Sequence, residues 1–151
     1  MNKKEYFIAD INTGYSSKGD SIILGGAILD GEPIAEAHVK IPLKTLNRHG
    51  LIAGATGTGK TKTIQVFSEQ LSNAGIPVLM MDIKGDFSGI AKEGKEEGFI
   101  TEGHAKINIP YNVAAFPVEL MSLSKQNGVR LRATVSEFGP VLFSRILDLN
   151  D

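Results

Sequence analysis

Residues Gly54-Ala55-Thr56-Gly57-Thr58-Gly59-Lys60-Thr61 constrain the fold more than any other stretch of this chain. They fill every fixed position of G-x-x-x-x-G-K-[ST], the phosphate-binding P-loop. The spacing has a chemical reason. A polyphosphate must be surrounded by inward-turned backbone N–H groups, and Gly54, Gly57 and Gly59 permit the dihedrals and close approach this demands. Lys60 then reaches the β- and γ-phosphates as a point charge, and the Thr61 hydroxyl is a hard oxygen ligand suited to Mg²⁺. The loop works only between a strand and a helix, and both flanks fit. Residues His49-Gly50-Leu51-Ile52-Ala53 form a short apolar run of the kind found in buried strands. Ile64, Phe67 and Leu71 recur on one helical face, with Gln65, Ser68, Glu69 and Ser72 at the other positions. Gly75 followed by Pro77 is a helix stop. The helix N-terminus thus aims its free N–H groups and positive dipole end at the phosphate site. The site residues read from the motif are Thr56, Gly57, Thr58, Gly59, Lys60 and Thr61, with Thr61 as the metal ligand and ATP with Mg²⁺ as the cofactors.

Composition narrows the setting. The 151 residues carry a formal net charge of −1, which argues against a module that coats DNA tightly through a basic surface. Local groups can still grip nucleic acid. The absence of cysteine excludes disulfides, thiolate metal sites and catalytic thiols. After the basic start only Tyr6 to Ala9 is apolar, too short for a signal peptide or a membrane span. A cytoplasmic protein is the expectation.

Residues 1–45 read as a small antiparallel β unit. Tyr6-Phe7-Ile8-Ala9 is one short run, residues 13–20 a polar loop, and Ser21 to Leu29 a strand that Gly25-Gly26 bends or bulges. Asp30-Gly31 is a hairpin signal, and Ala35 to Ile41 then alternates loosely until Pro42 breaks it. Residues 46–151 have α/β rhythm. Val78-Leu79-Met80-Met81 is a continuous apolar run like a buried parallel strand. Lys92 to Glu97 is a solvated charged loop. Ile107 to Ile109, Val118 to Leu123 and, beyond a turn at Gly128, Val129 to Arg132 are further strand candidates. Thr134-Val135-Ser136-Glu137 has capping-box spacing. Pro140 lies too deep for one unbroken helix, so a break is expected near Gly139. Val141, Leu142, Ile146 and Leu149 give the continuation an apolar face. The expected fold class is α/β: a P-loop NTPase core with a parallel sheet, preceded by the antiparallel unit. Residues 46–151 are few for a whole nucleotidase domain and end without a closing strand, which suggests part of a longer protein.

Met80-Met81-Asp82-Ile83-Lys84-Gly85-Asp86 is the second site candidate. Four apolar residues and an aspartate have the form of a Walker B strand, whose carboxylate holds Mg²⁺ through water. Two readings are open. Asp82 is either a metal ligand on a strand beside the P-loop strand, or a strand-end residue that starts a turn. Ile83 stands where a catalytic glutamate would follow, so this is no complete hydrolytic motif, and no catalytic residue is identified. Lys84, Arg48, Arg130, Arg132 and Arg145 are candidate phosphate-charge stabilisers, although each residue type is far more often plain surface. His38, His49 and His104 lack metal-site spacing. The aromatic residues are too scattered for a base-stacking platform.

Three ordered blocks carry a family resemblance. Arg48 to Thr61, Asp82-Ile83-Lys84-Gly85-Asp86-Phe87-Ser88-Gly89, and Thr134-Val135-Ser136-Glu137-Phe138-Gly139-Pro140 with Leu147-Asp148-Leu149-Asn150-Asp151 resemble segments of the bacterial HerA-like helicase family, within the HerA/FtsK group of DNA-pumping ATPases. The match is to the N-terminal portion of the ATPase domain. The resemblance implies a RecA-like core, a homohexameric ring and ATP-driven work on duplex DNA, with the acidic base and arginine finger downstream of Asp151. It also implies an edge strand for Asp82, which disfavours direct metal binding. Two other readings stand beside it. A small-molecule kinase would need an arginine-bearing lid, which is not evident. A nucleotide-binding assembly module would bind without hydrolysis.

Overall fold

The computed structural model describes residues 2–123 and 128–148. The chain divides into two compact units, residues 1–116 and 117–151.

The first unit opens with a helix, α1, Lys3–Gly14, where the sequence reading placed a β run at Tyr6 to Ala9. The cause is local. The Asn2 side chain accepts the Glu5 N–H at 2.9 Å, and the Glu5 carboxylate accepts the Asn2 N–H at 2.9 Å. This reciprocal capping box satisfies two otherwise orphaned donors and starts a helix that short apolar runs do not specify. The helix then presents Phe7, Ile8 and Ile11 to the core.

The antiparallel hairpin forms as expected. Strand β1, Ser21–Leu29, pairs with β2, Glu32–Pro42, from Ser21 opposite Pro42 to Leu29 opposite Glu32. Asp30 (φ 52°) and Gly31 (φ 86°) make the turn with two positive φ angles, the twist that suits a two-residue hairpin. Register shifts fall at Ile23/Gly25 and Gly26/Ala27, where the paired glycines break the pattern. Ala27, Ile34 and Ala37 form the buried core, with Phe7, Ile8, Ile11 and Leu29 packed around it. The Lys3 ammonium pairs with the Asp30 carboxylate at 2.6 Å, tying α1 to the hairpin turn. Both side chains are exposed, so the pair stabilises by at most about 1 kcal/mol.

Helix α2, Lys60–Asn73, follows the glycine-rich loop at residues 54–59. It ends as its sequence indicates. Gly75 (φ 74°) follows the C-cap, its N–H donates to the Ser72 carbonyl, and the Ile76 N–H reaches back to the Leu71 carbonyl. That pair of bonds is a Schellman closure. Leu71 is buried, while Ile64 and Phe67 are half-buried. Ser68, expected on the polar side, is also buried. Its hydroxyl is satisfied by the Ile64 carbonyl at 2.9 Å, with the Met80 sulfur 3.3 Å away.

The parallel sheet expected around the P-loop is not formed. Residues 46–59 and 76–87 contain no strand, and the sheets among the described residues are β1–β2 and one short parallel pair in the second unit. Leu51, Leu79, Met81 and Ile83 are 82–97% exposed. The physical reason is that a strand apolar on both faces needs hydrogen-bonded neighbours and a covering layer on each side. Among the described residues neither apolar run has a partner strand. Helix α3, Gly98–Lys106, occupies a stretch without an assigned element in the sequence reading. Residues 107–109 turn out of α3 rather than forming a strand, with Asn108 at φ 50°. The charged segment 92–97 is exposed and irregular, as expected.

In the second unit, β3, Met121–Ser122, pairs in parallel with β4, Val129–Arg130. Both are shorter than the runs read from sequence. Helix α4, Val135–Ile146, is broken at Gly139 (φ 65°, ψ 164°). Pro140 has no N–H to donate and forces the preceding residue out of helical geometry, which glycine accepts readily. Leu149, Asn150 and Asp151, part of the third block, lie outside the described residues.

Candidate functional site

The loop ahead of α2 is organised around one carbonyl. The Ala55 C=O accepts the Thr58 hydroxyl at 2.8 Å and the Lys60 ammonium at 2.6 Å, with the Thr58 N–H at 3.4 Å. Gly57 (φ 82°) and Gly59 (φ 92°) supply the left-handed turns that bend the chain this tightly. At Gly54 a Cβ would lie 2.5 Å from the Thr58 hydroxyl, so a side chain there would open the turn. The Thr63 N–H and hydroxyl both bond the Gly59 carbonyl, at 2.9 and 3.1 Å, which fixes the first turn of α2.

The start of α2 is set up for an anion. Gly59 is the N-cap and no side chain caps the helix. The first turn holds Lys60 and Lys62 and no acidic residue. Cations at a helix N-terminus oppose the dipole, so this composition is unfavourable by itself, and an anion placed there would offset it. The site is open, since residues 51–59 are all exposed. These features fit a polyphosphate. Thr61, in the first turn, is half-buried. No group of three or more His, Cys, Asp or Glu side chains among the described residues is arranged to hold a metal. Mg²⁺ at this loop would therefore depend on the Thr61 hydroxyl together with phosphate oxygens and water.

Asp82 is committed to its own loop. Its Oδ1 accepts the N–H groups of Gly85 at 2.8 Å and Asp86 at 3.1 Å, and its Oδ2 accepts that of Phe87 at 2.9 Å. The Phe87 N–H, foremost, and those of Gly85 and Asp86 hold the carboxyl below its usual range. This is turn-forming chemistry, the second of the two readings the sequence left open. The Gln65 side-chain amide donates to the Asp86 carbonyl at 2.9 Å, so the loop is pinned to α2 one helical turn beyond Thr61. Sequence reasoning placed Gln65 on the polar side without a role. An amide that satisfies a distant carbonyl leaves no periodic signal.

Among the described residues of the first unit, Arg48, His49 and Lys84 make no bond to the loop. Arg48, His49, Lys84, Arg130, Arg132 and Arg145 are exposed. His38 donates through Nε2 to the Ile107 carbonyl at 2.7 Å, and His104 contacts the Ile109 carbonyl and stacks obliquely on Tyr111. Both are packing histidines that hold the turn after α3.

Comparison with known proteins bears on this arrangement. The family model described as Helicase HerA-like C-terminal matches residues 28–151. Three curated proteins named DNA double-strand break repair helicase HerA are similar over shorter segments. The protein of Sulfolobus acidocaldarius is 38% identical over 53 residues, 35% of this chain and 11% of its own length. That of Sulfurisphaera tokodaii is 37% identical over 68 residues, 44% and 14% respectively. That of Saccharolobus solfataricus is 39% identical over 49 residues, 32% and 10%. The matched segments thus span about a tenth to a seventh of these relatives. No solved structure matches the chain. Two details of the sequence reading change. These relatives are archaeal rather than bacterial, and the matching family model is the HerA C-terminal region rather than an N-terminal one.

Proposed function

The chain belongs to the Helicase HerA-like C-terminal family, and from that premise we propose that it is the ATP-binding portion of a DNA-translocating ATPase. The observation that carries the reading is the uncapped, lysine-bearing N-terminus of α2 behind the Gly57–Gly59 turn. Residues Thr56, Gly57, Thr58, Gly59, Lys60 and Thr61 cradle the triphosphate, and Thr61 ligates Mg²⁺. Lys60 exchanges its Ala55 contact for phosphate oxygens, or keeps one N–H on Ala55 and turns the others outward, since an ammonium has three donors. Asp82 shapes the adjacent loop and leaves metal binding to Thr61.

Residues 46–151 contribute to a RecA-like parallel sheet in the assembled protein. The apolar runs in which Leu51, Leu79 and Met81 are exposed support this, because they have the composition of strands covered on both faces. Duplex DNA as substrate and a homo-oligomeric ring follow from the family premise. Among the described residues no helix is long and apolar enough to cross a membrane, and a cytoplasmic site of action is part of the proposal.

The test is ATP turnover by the whole protein with and without duplex DNA. Stimulation by DNA, lost in Lys60→Ala, is the expected result. Turnover that depends on a small metabolite instead would favour a kinase, and tight ATP binding without turnover would favour an assembly module.

A further inference from the structure

A second polar site lies in the hairpin unit. A cleft of about 420 Å³ is lined by Tyr15, Ser17 and Ser21 from the loop after α1 and the start of β1, and by His38 and Lys40 of β2. Its size falls within the range of small-ligand sites. Its lining contains no carboxylate. Lys40, half-buried, makes no ion pair among the described residues. The hydroxyls of Tyr15, Ser17 and Ser21 make no hydrogen bond among them either. By contrast, the neighbouring Ser16 hydroxyl is already spent on the Thr13 carbonyl at 2.9 Å, and His38 Nε2 on Ile107. The cleft therefore presents one ammonium and three O–H groups without a protein partner among the described residues, and no carboxylate.

That donor set suits a tetrahedral oxyanion, for which the ammonium supplies charge and the hydroxyls supply direction. The volume exceeds what a phosphate group needs, and the partly exposed Tyr15 ring offers a face for an attached sugar. A nucleic-acid backbone is disfavoured, since it is held by rows of cations, and Lys40 is the one Lys or Arg in the lining. We propose that this cleft binds a small phosphate monoester of sugar-phosphate size, separately from the P-loop.

Calorimetric titration of the whole protein with ribose 5-phosphate, inorganic phosphate and a short DNA duplex tests this. The Lys60→Ala protein serves as the background, so that a failed P-loop assignment and a failed second site are distinguishable. Saturable binding of ribose 5-phosphate is expected in that background. It should weaken about tenfold or more in Lys40→Gln and severalfold in Ser17→Ala, a loop position whose hydroxyl supports no structural bond, with unchanged far-UV circular dichroism. Absence of saturable binding, equal affinity in the Lys40 and Ser17 variants, or inorganic phosphate binding as tightly as the sugar phosphate would overturn the proposal. So would Lys40-dependent binding of the duplex in place of the monoester.

Discussion

The Gln70 side chain pairs with the Ile23 backbone as a neighbouring strand would. Its Oε1 accepts the Ile23 N–H at 2.7 Å and its Nε2 donates to the Ile23 carbonyl at 2.6 Å. Ile23 lies where the register of β1 first shifts, so one amide joins α2 to the bulged strand.

Removing that amide should loosen the first unit. Each of the two bonds contributes about 0.5–1.5 kcal/mol net, so Gln70→Ala is expected to destabilise by about 1–3 kcal/mol. Gln70→Glu should cost at least as much, since a carboxylate faces the Ile23 carbonyl with no donor. Urea unfolding measures the loss, and amide exchange should show Ile23 deprotected first. An unchanged midpoint in Gln70→Ala would show that the clamp contributes nothing.

At the loop ahead of α2, Lys60→Ala should weaken nucleotide binding and leave the fold intact. Charge-assisted contacts to phosphate are worth about 1.5–3 kcal/mol, roughly ten- to a hundredfold in affinity. Loss of the Lys60–Ala55 bond is compensated in the free protein, because the Thr58 hydroxyl still holds that carbonyl. Calorimetry with ATP and Mg²⁺ is the measurement, and equal affinities would remove the basis of the site.

Thr61→Ala should weaken Mg²⁺-dependent ATP binding more than Asp82→Asn does. Asp82 already accepts three backbone N–H groups, whereas the Thr61 hydroxyl stands in the first turn of α2, where the proposed phosphate site lies. Asp82→Asn should instead disorder residues 82–87, visible as increased amide exchange at Gly85 and Phe87. The reverse ranking of the two variants in Mg²⁺ titrations would make Asp82 a metal ligand.

Acid should release the same loop. The N–H donors favour the ionised Asp82, so the folded loop binds its proton less tightly than the unfolded chain does. The stabilisation is complete above the ordinary value of 3.8 and is lost as pH falls through the lowered folded value. Glu69 acts in the opposite sense. Burial raises its pKa against the pull of Lys62, so ionising it as pH rises costs stability. Amide shifts of Gly85 and Phe87 followed downward from neutral pH should show the Asp82 step, and Asp82→Asn should erase it. A step that survives in that variant belongs to another group.

Residues 1–151 by themselves should bind ATP without useful turnover. Hydrolysis needs a group to orient or deprotonate water and charge beyond the γ-phosphate, and an arginine finger alone accounts for about 10³–10⁵ in rate. Asp82, its pKa depressed by backbone donors, is a poor base for that task. Steady-state phosphate release at background is the expected reading, and robust DNA-stimulated release would reveal a catalytic group within this chain.

The sequence by itself determined what short-range chemistry controls. The hairpin turn at Asp30-Gly31, the end of α2 at Gly75, the break at Gly139-Pro140 and the Gly57 and Gly59 turns ahead of α2 all depend on dihedral preferences and bonds within a few residues. The helix at Lys3–Gly14 has a local signal too, the Asn2-to-Glu5 capping-box spacing, beside an apolar run at Tyr6 to Ala9 that reads equally as strand. Tertiary structure decided the rest. Ser68 is buried, Gln65 holds the Asp86 carbonyl and Gln70 replaces a strand at Ile23, all through partners distant in sequence that no periodicity encodes. The runs at Leu51 and Leu79 show the same limit from the other side. Their composition specifies strands, yet a strand exists only where a neighbour completes its hydrogen bonds, and among the described residues none does.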